Sequence, residues 1–118
     1  MQDSLDYALM DAAWAGHEDS VLLLLRRGAD VNARNDHSQE TPLIYASQQG
    51  ELAVVKILLD FDARPGLRPR NNEPALIRAV TMGYLDVAEE LIRHGANVNQ
   101  TGKLGRSALH YAATFGHY

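Results

Sequence analysis

The stretch ETPLIYASQQGELAVVKILL, from Glu40 to Leu59, decides the fold, because the chain repeats its pattern. It aligns with EPALIRAVTMGYLDVAEELI, from Glu73 to Ile92, at an offset of 33 residues. RRGADVNAR (Arg26 to Arg34) aligns with IRHGANVNQ (Ile92 to Gln100) at twice that offset. A fixed period of this length indicates similar supersecondary units that stack on one another.

One glycine marks the register of the repeats. It occurs at Gly16, Gly50, Gly83 and Gly116, with spacings of 34, 33 and 33 residues. We therefore predict a single domain of three full units and part of a fourth, at about residues 4–37, 38–70, 71–103 and 104–118.

Each unit has the same local pattern. Thr41 can cap a short helix and Pro42 suits its first position. After the marker glycine comes a second segment with apolar residues at helical spacing, which ends near Gly28 in unit one. A polar arm follows, so the unit reads helix, turn, helix, hairpin. Two such helices cannot bury their apolar faces alone and must pack on neighbouring units.

Two departures from the pattern carry expectations of their own. The first unit lacks a preceding arm, so its helix is expected to begin near Asp3 or Ser4 and to act as a terminal cap. The second unit has Asp62 where the others have Gly28 and Gly95. We expect positive φ there, which Asp adopts at some cost relative to glycine.

The runs TPLIYAS and SALHYAA, the four marker glycines, two Gly-His steps and GADVN resemble the ankyrin repeat. The resemblance covers nearly the whole chain. It implies an all-α, right-handed solenoid of stacked antiparallel helix pairs with β-hairpin-like loops. It also implies a protein-binding scaffold or adaptor, whose concave groove is lined by the first helices.

Composition and motifs narrow the function. The net charge of -4 argues against nucleic-acid binding, and the absence of cysteine removes thiolate chemistry. No apolar run is long enough to span a bilayer and no basic, apolar leader opens the chain, so we expect an intracellular, cytoplasmic protein without a membrane partner. HExxH, GxSxG and phosphate-loop motifs are missing, so we expect neither an enzyme nor a bound metal or cofactor.

A groove strip is predicted on the first helices, where positions spaced i, i+3 and i+4 share one face. Four of the chain's eight aromatic residues (two Phe, one Trp, five Tyr) fall within it, and such side chains concentrate energy at interfaces. The alternative is that these rings cover a terminal cap or pack between neighbouring helices. The groove strip comprises Asp11, Trp14, Ala15, Tyr45, Gln48, Gln49, Arg78, Thr81, Met82, Tyr111, Thr114 and Phe115.

The hairpin tips form a second candidate surface. Basic residues gather there, at Arg64, Arg68, Arg70, Lys103 and Arg106, and would steer an acidic partner segment. The alternative is that they only keep the loops soluble. Asn32 and Asn99 resemble asparagines that intracellular hydroxylases modify in ankyrin repeats, which makes them candidate modification sites.

The sequence thus predicts a non-catalytic module that binds a partner protein or peptide through its groove and hairpin tips. The alternative is a structural piece of a longer ankyrin array whose function lies in other repeats. HYAATFGHY, from His110 to Tyr118, matches a first helix without its partner helix. We expect that end to be uncapped and to favour self-association.

Overall fold

The computed structural model describes residues 4–98, which form six α-helices in three antiparallel pairs. Each pair is one predicted unit, and a long loop joins it to the next. The helices are α1 (Ser4–Ala15), α2 (Glu18–Arg26), α3 (Pro42–Gln49), α4 (Leu52–Asp60), α5 (Ala75–Met82) and α6 (Leu85–Arg93).

The helices stack in two rows. The first helices α1, α3 and α5 contact one another in turn, and so do the second helices α2, α4 and α6. Within each unit the two helices also pack together. The predicted all-α solenoid is therefore confirmed. Between residues 4 and 98 the loops contain turns but no β-strand, and a bond from Asn35 N to Glu40 O (2.9 Å) gives the first loop its hairpin-like closure.

The core lies between the two rows and between neighbouring units. In α3 the leucine and small residues predicted to pack, Leu43, Ala46 and Ser47, are at most 1% exposed. The second helix contributes Val55 and Leu58, which are fully buried. Each large apolar side chain buried in this way stabilises the fold by about 1.5 to 3 kcal/mol.

Local chemistry fixes the ends of the helices. The Thr41 hydroxyl accepts a hydrogen bond from Ile44 N (3.2 Å), and Pro42 occupies the first turn. At the other end of α3, Gly50 has φ of 70°, and a Cβ there would lie 2.8 Å from the ring of Tyr84. The position therefore requires glycine both for its backbone conformation and for the ring that packs on it.

The start of the first helix and the backbone at Asp62 agree with the expectations, while the role of the first unit as a terminal cap stays a prediction. The first helix begins at Ser4 and has 12 residues, against 8 in α3 and α5. Its buried Asp6 accepts a hydrogen bond from Asp30 N (2.8 Å), which ties the start of the helix to the end of its unit. Asp62 has φ of 68°, in the left-handed region predicted for it.

The loops are bonded to each other as well as to their own helices. Arg70 N donates to Ser38 O (2.9 Å), and Arg64 N donates to the side-chain oxygen of Asn32 (2.8 Å). The Arg34 guanidinium donates to the carbonyl of Arg68 (3.0 Å). These bonds join the first loop to the second, so the stacking of units one and two extends from the helices to the loops.

Candidate functional site

The groove strip lies along α1, α3 and α5, and the nine residues of it that the structure describes differ widely in exposure. Trp14 is 45% exposed and Met82 is 51% exposed, although both are large and apolar. Asp11, Ala15 and Gln49 are also exposed, while Tyr45, Gln48 and Thr81 are half-buried. The other three predicted positions, Tyr111, Thr114 and Phe115, lie outside the described residues.

The first feature of this face is a pair of aromatic rings from adjacent units. Trp14 on α1 and Tyr45 on α3 meet edge to face, with ring centroids 5.9 Å apart and ring planes at 79°. This is a favoured geometry for two aromatic rings. The pair borders a recess of about 290 Å³, here called the aromatic recess, which is lined by Tyr7, Met10, Asp11, Trp14, Asn35 and Tyr45.

The second feature is a polar recess of about 350 Å³ between units two and three, centred on a buried arginine. The guanidinium of Arg78 forms an ion pair with Glu40 (2.8 Å) and donates to Asn71 Oδ1 (3.2 Å) and to Gln48 Oε1. The polar recess is lined by Glu40, Gln48, Asn71, Glu73, Arg78, Thr81 and Met82.

The expectation that every position of the groove strip points outward does not hold for Arg78, which is only 7% exposed. Its acceptors Glu40 and Asn71 come from the loops that precede α3 and α5. A buried guanidinium needs such partners, because an unpaired charge in the interior is costly. Arg78 therefore joins two units, and only part of its surface faces the polar recess.

Sequence reasoning did not identify several residues that shape this face. Glu40 and Glu73 occupy the same position in consecutive units, 33 residues apart, and this recurrence of an acid was a usable signal. Tyr7 donates to the carboxylate of Asp36 (2.7 Å), a contact across 29 residues that no local pattern indicates. That hydrogen bond is the main reason that the pKa of Tyr7 is raised above its ordinary value.

The arginines predicted at the hairpin tips are partly occupied by local bonds. Arg68 donates to the side-chain oxygen of Asn72 (2.7 Å), and Arg70 Nε donates to His37 O (2.5 Å). Arg64 and Arg70 are exposed, and Arg68 is half-buried. Lys103 and Arg106 lie outside the described residues.

Asn32, one of the two asparagines predicted as modification sites, lies in the first loop. Asn32 bridges two loops, since its side-chain oxygen accepts from Arg64 N (2.8 Å). Its amide nitrogen lies 3.5 Å from Asp62 O, a longer contact on the same loop. Asn99 falls outside the described residues, and modification of either residue stays a prediction.

The described residues offer no metal site and no membrane-spanning helix. Between residues 4 and 98, no group of three or more His, Asp or Glu side chains is arranged to hold a metal ion. His94, which follows the last residue of α6, has its Nε2 3.3 Å from the Glu90 carboxylate one turn earlier. Within the same range, no helix has the length and apolar character needed to cross a membrane.

Comparison with known proteins agrees with this architecture. The family model described as ankyrin repeats (3 copies) matches residues 9–102. The fowlpox virus protein FPV223, described as an ankyrin repeat protein, is 33% identical over 113 residues, which are 96% of this chain and 75% of that protein. The mouse B-cell lymphoma 3 protein homolog is 37% identical over 90 residues, which are 76% of this chain and 20% of that protein.

A further relative is the rice protein XBOS32, described as a probable E3 ubiquitin-protein ligase. It is 39% identical over 80 residues, which are 67% of this chain but only 16% of that protein. This chain thus spans a minor part of two of the three relatives named here. Ankyrin repeats generally mediate protein–protein interaction and are typically non-catalytic. The three matched repeats and the stacked helix pairs show that this chain belongs to the ankyrin repeat family.

Proposed function

We propose that this chain is a non-catalytic binding module that holds a partner protein or peptide against its groove strip. The observation that carries the proposal is the exposure of Trp14 and Met82, at 45% and 51%, on the face formed by the first helices. Large apolar side chains left in water on one face commonly mark an interaction surface. Tryptophan in particular is enriched where binding energy is concentrated.

The surroundings of the two exposed side chains support the same proposal. Trp14 borders the aromatic recess and Met82 borders the polar recess, so each apolar anchor has hydrogen-bonding groups beside it. Interfaces commonly combine an apolar centre with such polar groups. A partner segment that reaches from α1 to α5 would contact both recesses.

The hairpin tips extend the proposed surface. Arg64 and Arg70 are exposed beside the half-buried Arg68, on a loop that also contains Asp62 and Glu73. We propose that this loop contacts an acidic part of the partner, because opposite charges at the rim speed association and select the partner. We also place this binding inside the cell, as the ankyrin resemblance implies.

A second candidate function is a structural one, as part of a longer ankyrin array. The observation in its favour is that matching relatives such as the mouse protein are much longer than this chain, which covers 20% of it. In a repeat array each added neighbour contributes an interface. If this function is correct, extending the chain past Tyr118 with further repeats raises the melting temperature sharply, and an unchanged melting temperature contradicts it.

Affinity purification with matched variants tests the main proposal. Wild-type chain, Trp14→Ala and Met82→Ala are used as baits in extract from the cells that make the protein, and retained proteins are quantified by mass spectrometry. Leu23→Ala is the control, because Leu23 is 50% exposed and apolar but lies on α2 in the second row.

We expect one set of proteins to be retained by the wild type and by Leu23→Ala but lost with both groove variants. Met82→Ala should lower the melting temperature by no more than about 2 °C. Trp14→Ala also loses the ring contact with Tyr45, worth about 0.5 to 1.5 kcal/mol, and should lower it by about 2 to 6 °C, so loss of binding is not loss of folding. Equal retention by all four baits contradicts the proposal. Unfolding of Trp14→Ala at room temperature would assign that residue to the core instead.

A further inference from the structure

The aromatic recess has a shape suited to a cation. Trp14 and Tyr45 stand at 79° to each other, so their planes form two walls of a corner, with centroids 5.9 Å apart. The faces of aromatic rings carry partial negative charge and attract a cation within about 6 Å of the centroid. A small cation in this corner can contact both ring faces at once.

Acidic groups predominate around the aromatic recess. None of its six lining residues is basic, and Asp11 supplies an exposed carboxylate. A second carboxylate, of Asp36, lies 2.7 Å from the hydroxyl oxygen of Tyr7, which is also a lining residue. Arg34 is the neighbour of Asn35 in sequence, but its guanidinium donates to Arg68 O in the next loop.

Two polar side chains of the recess, Tyr7 and Asp11, can accept hydrogen bonds from a ligand. The Tyr7 hydroxyl already donates its proton to Asp36, so its oxygen is left as an acceptor. Asn35 Oδ1 already accepts from the backbone N–H groups of His37 (2.8 Å) and Ser38 (3.2 Å), so the proposed contacts use Asp11 and Tyr7 as acceptors. An ammonium group, with three donors and no acceptor, complements this set.

We propose that the aromatic recess binds a lysine side chain of the partner protein, with the ammonium between the Trp14 and Tyr45 rings and beside the Asp11 carboxylate. The proposal rests on the proposed function, since it names the chemistry that the partner presents to the α1 end of the groove strip. The aromatic recess thus differs from the arginine-bearing hairpin tip, which is proposed to contact an acidic part of the partner.

Lysine is favoured over arginine by the shape of the corner. A planar guanidinium stacks on one ring at a time, whereas a compact ammonium can meet two perpendicular walls. The methylene stem of lysine can lie along the indole of Trp14, which is 45% exposed. A neutral side chain of the same length would keep these stem contacts and lose the attraction to the rings and to Asp11.

Nuclear magnetic resonance tests the binding of lysine to the aromatic recess directly. Trp14 is the single tryptophan of the chain, so it gives one indole N–H signal. The ¹⁵N-labelled chain is titrated with Nα-acetyl-lysine methylamide, and in parallel with the matching norleucine and arginine derivatives. Two variants are compared with the wild type. Asp11→Asn removes the carboxylate of the recess, and Asp19→Asn removes an exposed carboxylate on α2 as the control.

We expect the lysine derivative to shift the Trp14 indole signal with at least about fivefold higher affinity than the norleucine derivative. Asp11→Asn should weaken lysine binding at least about twofold, and Asp19→Asn should leave it unchanged. Equal affinity for norleucine would show an apolar contact rather than a cation site. Equal or tighter binding of arginine, or no shift with any probe, would also overturn the proposal.

The two proposals can fail separately. If the lysine derivative does not shift the Trp14 signal but the partner proteins are still lost with Trp14→Ala and Met82→Ala, the groove function stands and the lysine site is wrong. If the lysine derivative binds but the groove variants retain every partner, the cation site stands and the proposed function fails.

Discussion

Replacement of Arg78 by methionine gives the sharpest test of how the repeats are held together. Arg78 is 7% exposed and its guanidinium is paired with Glu40 at 2.8 Å, with Asn71 and Gln48 as further acceptors. Methionine keeps an unbranched stem of similar reach but leaves the Glu40 carboxylate without its counter-charge. Breaking one side of a buried ion pair costs about 3 to 5 kcal/mol.

The structure allows this range to be adjusted. The Glu40 side chain is 17% exposed, so water can restore part of its solvation, and we expect a loss of about 2 to 4 kcal/mol. With about 2.1 cal/mol/K of unfolding entropy per residue, a chain of 118 residues loses about 4 °C for each kcal/mol. The melting temperature of Arg78→Met should therefore fall by about 8 to 16 °C.

Thermal unfolding followed by circular dichroism measures the melting temperatures of Arg78→Met and of the matched control Arg93→Met. Arg93 also pairs with a glutamate, Glu90 at 3.1 Å, but its own side chain is 69% exposed, and Glu90, which is 12% exposed, keeps His94 at 3.3 Å in the variant. Exposed helix pairs contribute about 0.3 to 0.5 kcal/mol, so the control should fall by no more than about 2 °C. A decrease in Arg78→Met no larger than that of Arg93→Met would refute the assignment of Arg78 as the link between units two and three.

Three further predictions concern single contacts. Asp62→Gly should raise the melting temperature by about 2 °C. Glycine removes the strain of the left-handed backbone at φ of 68°, and this gain is larger than the entropy that glycine adds to the unfolded chain. A lower melting temperature in a thermal scan would contradict this. Asn32→Ala should lower the free energy of unfolding in urea by about 1 kcal/mol through loss of the bond from Arg64 N, and an unchanged midpoint would show that the bond contributes nothing. Tyr7→Phe tests pH dependence. The pKa of Tyr7 in the folded state is raised above its ordinary value of 10.0 by the hydrogen bond to Asp36. This bond therefore stabilises the folded chain at neutral pH, and its contribution is lost as the pH rises through the folded-state pKa. A stability difference between wild type and variant that stays constant from about pH 7 to pH 11 would contradict the assignment.

The repeats were predictable from sequence because their causes are local. The spacing of Gly16, Gly50 and Gly83 gave the register of the units, and all three residues have positive φ as the ends of first helices require. Thr41 and Pro42 indicated the start of α3, where Thr41 is the N-cap and Pro42 is the first helical residue. Each of these signals depends only on neighbours in the chain.

The burial of Arg78 was not predictable in the same way. Helical periodicity places it on the same face as Thr81 and Met82, but it does not show whether another segment covers that face. Glu40 and Asn71 do so from the loops before α3 and α5, and Glu40 is 38 residues away in sequence. The nine described positions of the groove strip lie on first helices, but the prediction that Arg78 belongs to an exposed face was wrong.

The aromatic recess was likewise predictable from sequence only in part. The proximity of Trp14 and Tyr45 followed from equivalent faces of adjacent first helices, but their perpendicular packing depends on side-chain torsions. The contribution of Tyr7 and Asp36 depends on how the first loop returns over α1. These tertiary contacts decide what the recess can bind, and no repeat pattern specifies them.

The central claim is that a partner protein binds the first-helix face. It is tested most directly by photo-crosslinking to a protein retained in the affinity comparison. Benzoylphenylalanine is placed at Gln49, which is exposed on α3 in the groove strip, or at Lys56, which is exposed on α4 in the second row. Binding at this face should give efficient crosslinking from position 49 and little from position 56. Efficient crosslinking from position 56 with none from position 49 would contradict it.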